Sequence, residues 1–140
     1  MGRPDIFRYI TIAAYAIGND ASLGAAQALM REHGIRHLPV MQGGVVVGVI
    51  SEGDVLLLES EDRARARAMT VERAMTPHPY VVPPDAFLDE VVEHMIEHEI
   101  GSAVVVEDGR LVGMFTATDA LRALAEMAFP EAPDEPRSRS

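Results

Sequence analysis

The 140-residue chain contains no cysteine, no tryptophan and no lysine. Without cysteine there can be no disulfide, no thiol nucleophile and no thiolate metal site. A chain of this kind suits a reducing compartment, and a cytoplasmic location is expected. With lysine absent, the 12 basic residues are all arginines, set against 22 acidic ones for a net charge of −10. A duplex-binding face needs clustered cations, and the one cluster present is Arg63, Arg65 and Arg67. Nucleic acid is therefore disfavoured as a partner. An acidic surface also repels free nucleotides at long range, so any anion site must be local, built from backbone N–H groups and a few arginines. No apolar run approaches the ~20 residues of a membrane helix, and no secretory leader is expected ahead of Asp5. Nucleophile elbow, phosphate-binding Walker loop and metal triad are all missing, so no catalytic activity is expected.

What the chain does contain is itself, twice. Shifted by 65 positions, residues 6–58 fall on 71–123 without a gap, and 16 of the 53 pairs are identical. They include Thr11/Thr76, Tyr15/Tyr80, His33/His98, Ile35/Ile100, Gly48/Gly113, Asp54/Asp119 and Leu56/Leu121. Many other pairs exchange one apolar residue for another, such as Ile17/Val82 and Ile50/Phe115. A repeat of this kind dictates architecture. Two like units with matching apolar faces pack about a pseudo-twofold axis, and a site at their junction occurs twice. By length the whole is one compact domain.

Each repeat reads β-α-β-β-α, an α/β (α+β) fold. A short apolar piece (Tyr15–Ile17; Tyr80–Val82) precedes polar or proline punctuation at Asn19-Asp20 or Pro83-Pro84-Asp85, which can cap a helix. Leu88, Val91, Val92, Met95 and Ile96 then recur at helical spacing. Two apolar runs flank Gln42-Gly43-Gly44 in the first repeat and Asp108-Gly109 in the second, a hairpin signal. A last helix starts after Ser51 and after Thr116. The boundaries are repeat one at 6–58, an ordered or helical linker at 59–70, repeat two at 71–125, and a disordered tail at 126–140, too polar and proline-rich to bury a core. Each repeat has apolar stripes on both helices, more than one small sheet can cover. A homodimer through helices starting near Asp20, Asp54, Asp85 and Asp119 is expected.

Ser51-x-x-Asp54 and Thr116-x-x-Asp119 admit two readings. A carboxylate can accept from both hydroxyls of a ribose while the following helix N-terminus offers N–H groups to phosphate. The same spacing is also a capping box, which starts a helix whether or not a ligand exists. The strand entrances differ: Arg36-His37 offers charge, and Gly101-Ser102 a hydroxyl and room, so the two sites are not equivalent. His94 and His98, four apart on a helix, could in principle hold zinc. They lie on its polar face, however, and the first repeat keeps only His33, so no metal site is expected.

Gly34-Ile35-Arg36-His37-Leu38-Pro39-Val40, Gly44 and Val47-Gly48-Val49-Ile50-Ser51-x-x-Asp54 together resemble the CBS domain, named after cystathionine beta-synthase. Ile100–Val106 through Thr116-x-x-Asp119 resembles it again, and Val71-x-x-x-Met75-Thr76 is similar to the family's lead-in. The resemblance implies a paired, or Bateman, module that dimerises as a disk. It further implies a regulatory adenosine ligand (AMP, ADP, ATP or S-adenosylmethionine) between the motifs, no obligatory cofactor, and an effector protein regulated in trans. Carried over position by position, it implies ribose or phosphate contacts at Ser51, Asp54, Thr116, Asp119, Arg36, His37 and Ser102. It implies an adenine pocket from Thr11, Ile17, Thr76, Val82 and Pro39. The family often has a basic residue just before the motif Asp. Here Gly53 and Thr118 stand there, which favours a monophosphate or an uncharged tail over a triphosphate. The rival expectation is a structural adaptor whose pockets are degenerate.

Overall fold

The computed structural model describes residues 3–13 and 15–129. After a short 3-10 turn (Phe7–Tyr9), the first repeat runs β1 (Thr11–Ile12), β2 (Ile17–Gly18), α1 (Leu23–His33), β3 (His37–Gln42), β4 (Val45–Ser51) and α2 (Glu52–Glu61). The connection holds α3 (Arg63–Ala68) and α4 (Val71–Ala74). The second repeat runs β5 (Thr76–Pro77), β6 (Val81–Val82), α5 (Leu88–Glu97), β7 (Ser102–Glu107), β8 (Arg110–Thr116) and α6 (Ala117–Ala128). The doubled β-α-β-β-α order is as the repeat predicts.

The helix starts differ from expectation. Ser22, not Asn19 or Asp20, caps α1, its Oγ accepting from the N–H of Ala25 at 3.1 Å. Phe87 precedes α5 with no side-chain cap. Gly34 closes α1 in the left-handed conformation (φ 64°), which glycine adopts without a Cβ clash. The final helix overruns the expected start of the tail, for residues 126–128 belong to α6. Glu126 explains this, because it accepts from the Tyr9 hydroxyl at 3.1 Å and pairs with Arg8 at 3.0 Å, tying the last turn to the N-terminal segment. The remainder of the expected tail from Pro130 lies outside the described residues.

The two sheets are ordered β2-β3-β4-β5 and β1-β8-β7-β6. Each repeat thus gives its first strand to the other repeat's sheet. β1 lies antiparallel on β8 (Thr11 opposite Met114), and β5 on β4 (Thr76 opposite Val49). The flanking backbone follows the same exchange. The N–H of Ile6 donates to the carbonyl of Ala86 at 3.0 Å, and its equivalent Val71 donates to Ala21 at 2.8 Å. Ile6 and Tyr9 are buried in one core with Val82, Leu88, Val91, Met95, Val105 and Phe115. Val71 is buried in the other with Leu23, Met30, Leu38, Val40, Ile50 and Val55. Gly48 and Gly113 are the points where the exchanged strands cross. A Cβ on Gly48 would stand 2.8 Å from the Thr76 carbonyl oxygen, and one on Gly113 would collide with that of Thr11. Both hairpins carry a register shift at equivalent positions, Val40/Met41 and Val105/Val106.

Candidate functional site

The strand exchange builds two clefts, each walled by both repeats. The first, of about 540 Å³, has Ser51 and Asp54 at the β4–α2 junction on one side. Thr76, Tyr80 and the Ile100–Ser102 strand entrance face them. The second, of about 520 Å³, has Thr116 at the β8–α6 junction facing Thr11, Tyr15 and the Ile35–His37 entrance, with Pro39 behind. The pairing is diagonal: Arg36 lines the cleft of Thr116, whereas Ser51 meets Gly101 and Ser102. His37 lines both.

Both motif aspartates act as capping boxes. Ser51 Oγ accepts from the N–H of Asp54 at 3.1 Å and donates to Asp54 Oδ2 at 2.8 Å, while the Ser51 N–H reaches the same Oδ2 at 3.3 Å. Oδ1 of Asp54 has no protein hydrogen-bond partner among the described residues, and the residue lines the first cleft. Asp119 is differently placed. Its Oδ2 accepts from the Thr116 N–H at 2.9 Å and hydroxyl at 3.2 Å. Its Oδ1 accepts from Arg122 at 2.7 Å and from Thr11 at 3.4 Å. It is 2% exposed and does not line the second cleft. At that position the capping box engages Oδ2, and Arg122 and Thr11 engage Oδ1.

Of the residues singled out by sequence, the first cleft gathers Ser51, Asp54, Thr76, Ser102 and His37, and the second gathers Thr11, Arg36, His37, Pro39 and Thr116. Ile17 and Val82 line neither. Each sits where its strand pairs with the central hairpin and packs into a hydrophobic core. Sequence reasoning missed Tyr15 and Tyr80, which line one cleft each, and His78, His94, His98 and Glu99 around the first. The identity of Tyr15 with Tyr80 across the repeat was the available signal. The Tyr80 ring stacks on His94 at 3.8 Å and His94 on His98 at 4.0 Å, whereas Tyr15 stacks directly on His33 at 3.8 Å. Among the described residues no cluster of three or more His, Asp or Glu side chains has the arrangement to hold a metal ion.

Burial lowers the pKa of His37 below the usual imidazole value. Asp54 and Asp119 pull it up, and Arg36 pushes it down. The Tyr80 phenol is raised, first by burial and then by Glu90. Chemically the clefts offer hydroxyls, an open oxygen on Asp54, the Glu99 carboxylate, the Arg36 guanidinium, a helix N-terminus each and an aromatic ring each. That set suits a nucleoside bearing a small polar 5′ group.

Comparison with known proteins follows the same division. The CBS-domain family model matches residues 6–61 and again 71–126. Over 104 residues the chain is 35% identical to inosine-5′-monophosphate dehydrogenase of Korarchaeum cryptofilum, a match covering 74% of this chain and 21% of that enzyme. It is 28% identical to hypoxic response protein 1 of Mycobacterium tuberculosis over 81% of this chain and 80% of that protein. Among solved structures, CBSX2 in complex with AMP superposes with a TM-score of 0.73 at 26% identity, covering 89% of this chain and 98% of that one. The CBS domain pair of protein MJ0100, in complex with 5′-methylthioadenosine and S-adenosyl-L-methionine, superposes at 0.79 with 23% identity, covering 90% and 99%.

Proposed function

This chain belongs to the CBS-domain family, carrying two CBS motifs, and on that premise we propose that it is a regulatory module rather than an enzyme. It binds an adenosine-containing ligand in the clefts between its repeats and passes its state to an effector protein in trans. The ligand is AMP, another adenosine nucleotide or S-adenosylmethionine. The observation that carries this reading is that each cleft takes one wall from each repeat. A ligand that touches both walls favours the arrangement in which both reach it, and it shifts that equilibrium by its differential affinity alone. The AMP-bound CBSX2 structure, 26% identical to this chain, supports the ligand class. The match across 80% of hypoxic response protein 1 supports a CBS pair that acts apart from a fused enzyme.

The first cleft is the better ribose site, because Asp54 keeps one oxygen open while Asp119 has both engaged. The closed state of Asp119 leaves the second cleft without a free motif carboxylate, so a ligand there is held through Arg36 and the Thr116 hydroxyl instead. Thermal melting against a panel of adenosine nucleotides, S-adenosylmethionine and 5′-methylthioadenosine tests the proposal. A ligand at 100 times its Kd adds about 2.7 kcal/mol, a melting shift of about 5–10 °C for a chain of this size. If none of the panel moves the melt at millimolar concentration, the module is an adaptor with degenerate pockets.

A further inference from the structure

The two clefts differ in the charge built into their walls. Among the described residues, the second is lined by Arg36 and no carboxylate. The first is lined by two carboxylates, Asp54 and Glu99, and no arginine among the described residues. What it has instead is His37, His78, His94 and His98, four of the five histidines in the chain. They arrive from three places: the start of β3, the turn after β5, and the last turn of α5 with its cap. With neutral imidazoles this cleft carries net negative charge and repels phosphate. With charged imidazoles its sign reverses.

We infer that the first cleft is a proton-gated anion site, admitting the phosphate of an adenosine nucleotide when its imidazoles are charged and an uncharged or cationic 5′ substituent when they are neutral. The second cleft, with Arg36, takes phosphate regardless. This inference rests on reading the clefts as adenosine-ligand sites and adds the regulation of one of them.

Imidazole is the side chain whose charge ordinarily changes between about pH 5 and 8. Of the four histidines, His78 and His98 are exposed and His94 and His37 half-buried. In His98 the Nδ1 lies 3.0 Å from the carbonyl oxygen of His94. A carbonyl only accepts, so Nδ1 bears the hydrogen of that contact and Nε2 stays outside it. His37 contributes least, since burial and Arg36 hold it neutral against the pull of Asp54 and Asp119. The other ionisable groups lining this cleft are the Asp54 and Glu99 carboxylates and the Tyr80 phenol, kept neutral by burial and Glu90.

Calorimetric titration with AMP and with uncharged 5′-methylthioadenosine, at about pH 8 and pH 6, tests the gate across the imidazole range. The expected result is one AMP per chain at the higher pH and a second, at least about tenfold tightened event at the lower, the scale of one charge-assisted hydrogen bond. 5′-Methylthioadenosine shows no such gain. The phosphate's own second ionisation near 6 works against this slope, so it cannot produce it. In the double variant His78→Asn, His98→Gln the gain with acid disappears while the Arg36-side event remains; asparagine is chosen because His78 holds φ at 55°. AMP binding that ignores pH, a gain that survives in the variant, or an equal gain for 5′-methylthioadenosine overturns the gate and leaves the adenosine reading standing. If neither ligand binds at either pH, the gate and the reading fall together.

Discussion

Asp54 and Asp119 occupy equivalent positions, yet their carboxylates are engaged differently, and substitution separates the two roles of the motif. In Asp54→Asn the amide oxygen can keep accepting from Ser51, while the cleft-facing position becomes an NH2 that cannot accept from ribose hydroxyls. Affinity at the first cleft falls about 10–100-fold, since a hydrogen bond to a charged group contributes ~1.5–3 kcal/mol. Stability without ligand changes by no more than ~1 kcal/mol, the scale of a charge at a helix terminus. In Asp119→Asn the order reverses. The side chain is buried, and both its oxygens accept, from Thr116, Thr11 and Arg122. An amide NH2 placed among those donors leaves hydrogens unpaired, at a cost of ~1–3 kcal/mol, and the melt falls while ligand affinity changes little. Melting curves and titration of the two variants side by side check this. Early melting of Asp54→Asn with normal binding shows that Asp54, too, only starts its helix.

At the scale of elements, the exchange of β1 and β5 is what places Thr11 beside Thr116 and Thr76 beside Ser51. The exchange depends on glycine where the strands cross. Gly113→Ala drives a Cβ into the Thr11 backbone, and the overpacked crossing costs ~1–3 kcal/mol. At ~2–4 °C per kcal/mol the melt falls by several degrees. Gly101→Ala, which meets open space, changes stability by no more than ~0.5 kcal/mol. Equal melts for the two variants sink the account of the crossing. The repeat, its element order, the hairpins and the capping boxes at Ser51 and Thr116 were legible because each rests on local spacing. The exchange was not. β1 and β5 are two residues long, too short for any periodicity. Under the pseudo-twofold, pairing within a repeat and pairing between repeats bury the same residue types. With the exchange hidden, Arg36 could not be assigned to the cleft of Thr116. The histidine wall was hidden for a related reason. His78, His94 and His98 meet Asp54 only once β5 crosses to β4, and in the sequence two of them look like a solvated helix face.

The folded chain leaves apolar surface that its own two cores do not cover. Leu56 on α2 and its repeat partner Leu121 on α6 are 46% and 65% exposed, and Leu57 and Leu124 are 67% and 61% exposed. Leu121 and Leu124 stand three apart on α6, a spacing that puts them on one helical face. Identity of Leu56 with Leu121 at exposed positions is not explained by packing within the chain, because neither belongs to a core. A second copy presenting the same α2 and α6 faces would bury them isologously, the commonest way soluble chains pair. This narrows the sequence expectation, which spread the interface over all four longer helices, to the two that follow β4 and β8. Light scattering at micromolar concentration is expected to give twice the 15.2 kDa chain mass. The double variant Leu121→Glu, Leu124→Glu is expected to give the chain mass with the fold intact, since both side chains are already open to solvent in the single chain and glutamate is a good helix former. Far-ultraviolet circular dichroism verifies the fold. A wild-type chain that stays monomeric removes the proposal, and a double variant that remains dimeric moves the interface off α6.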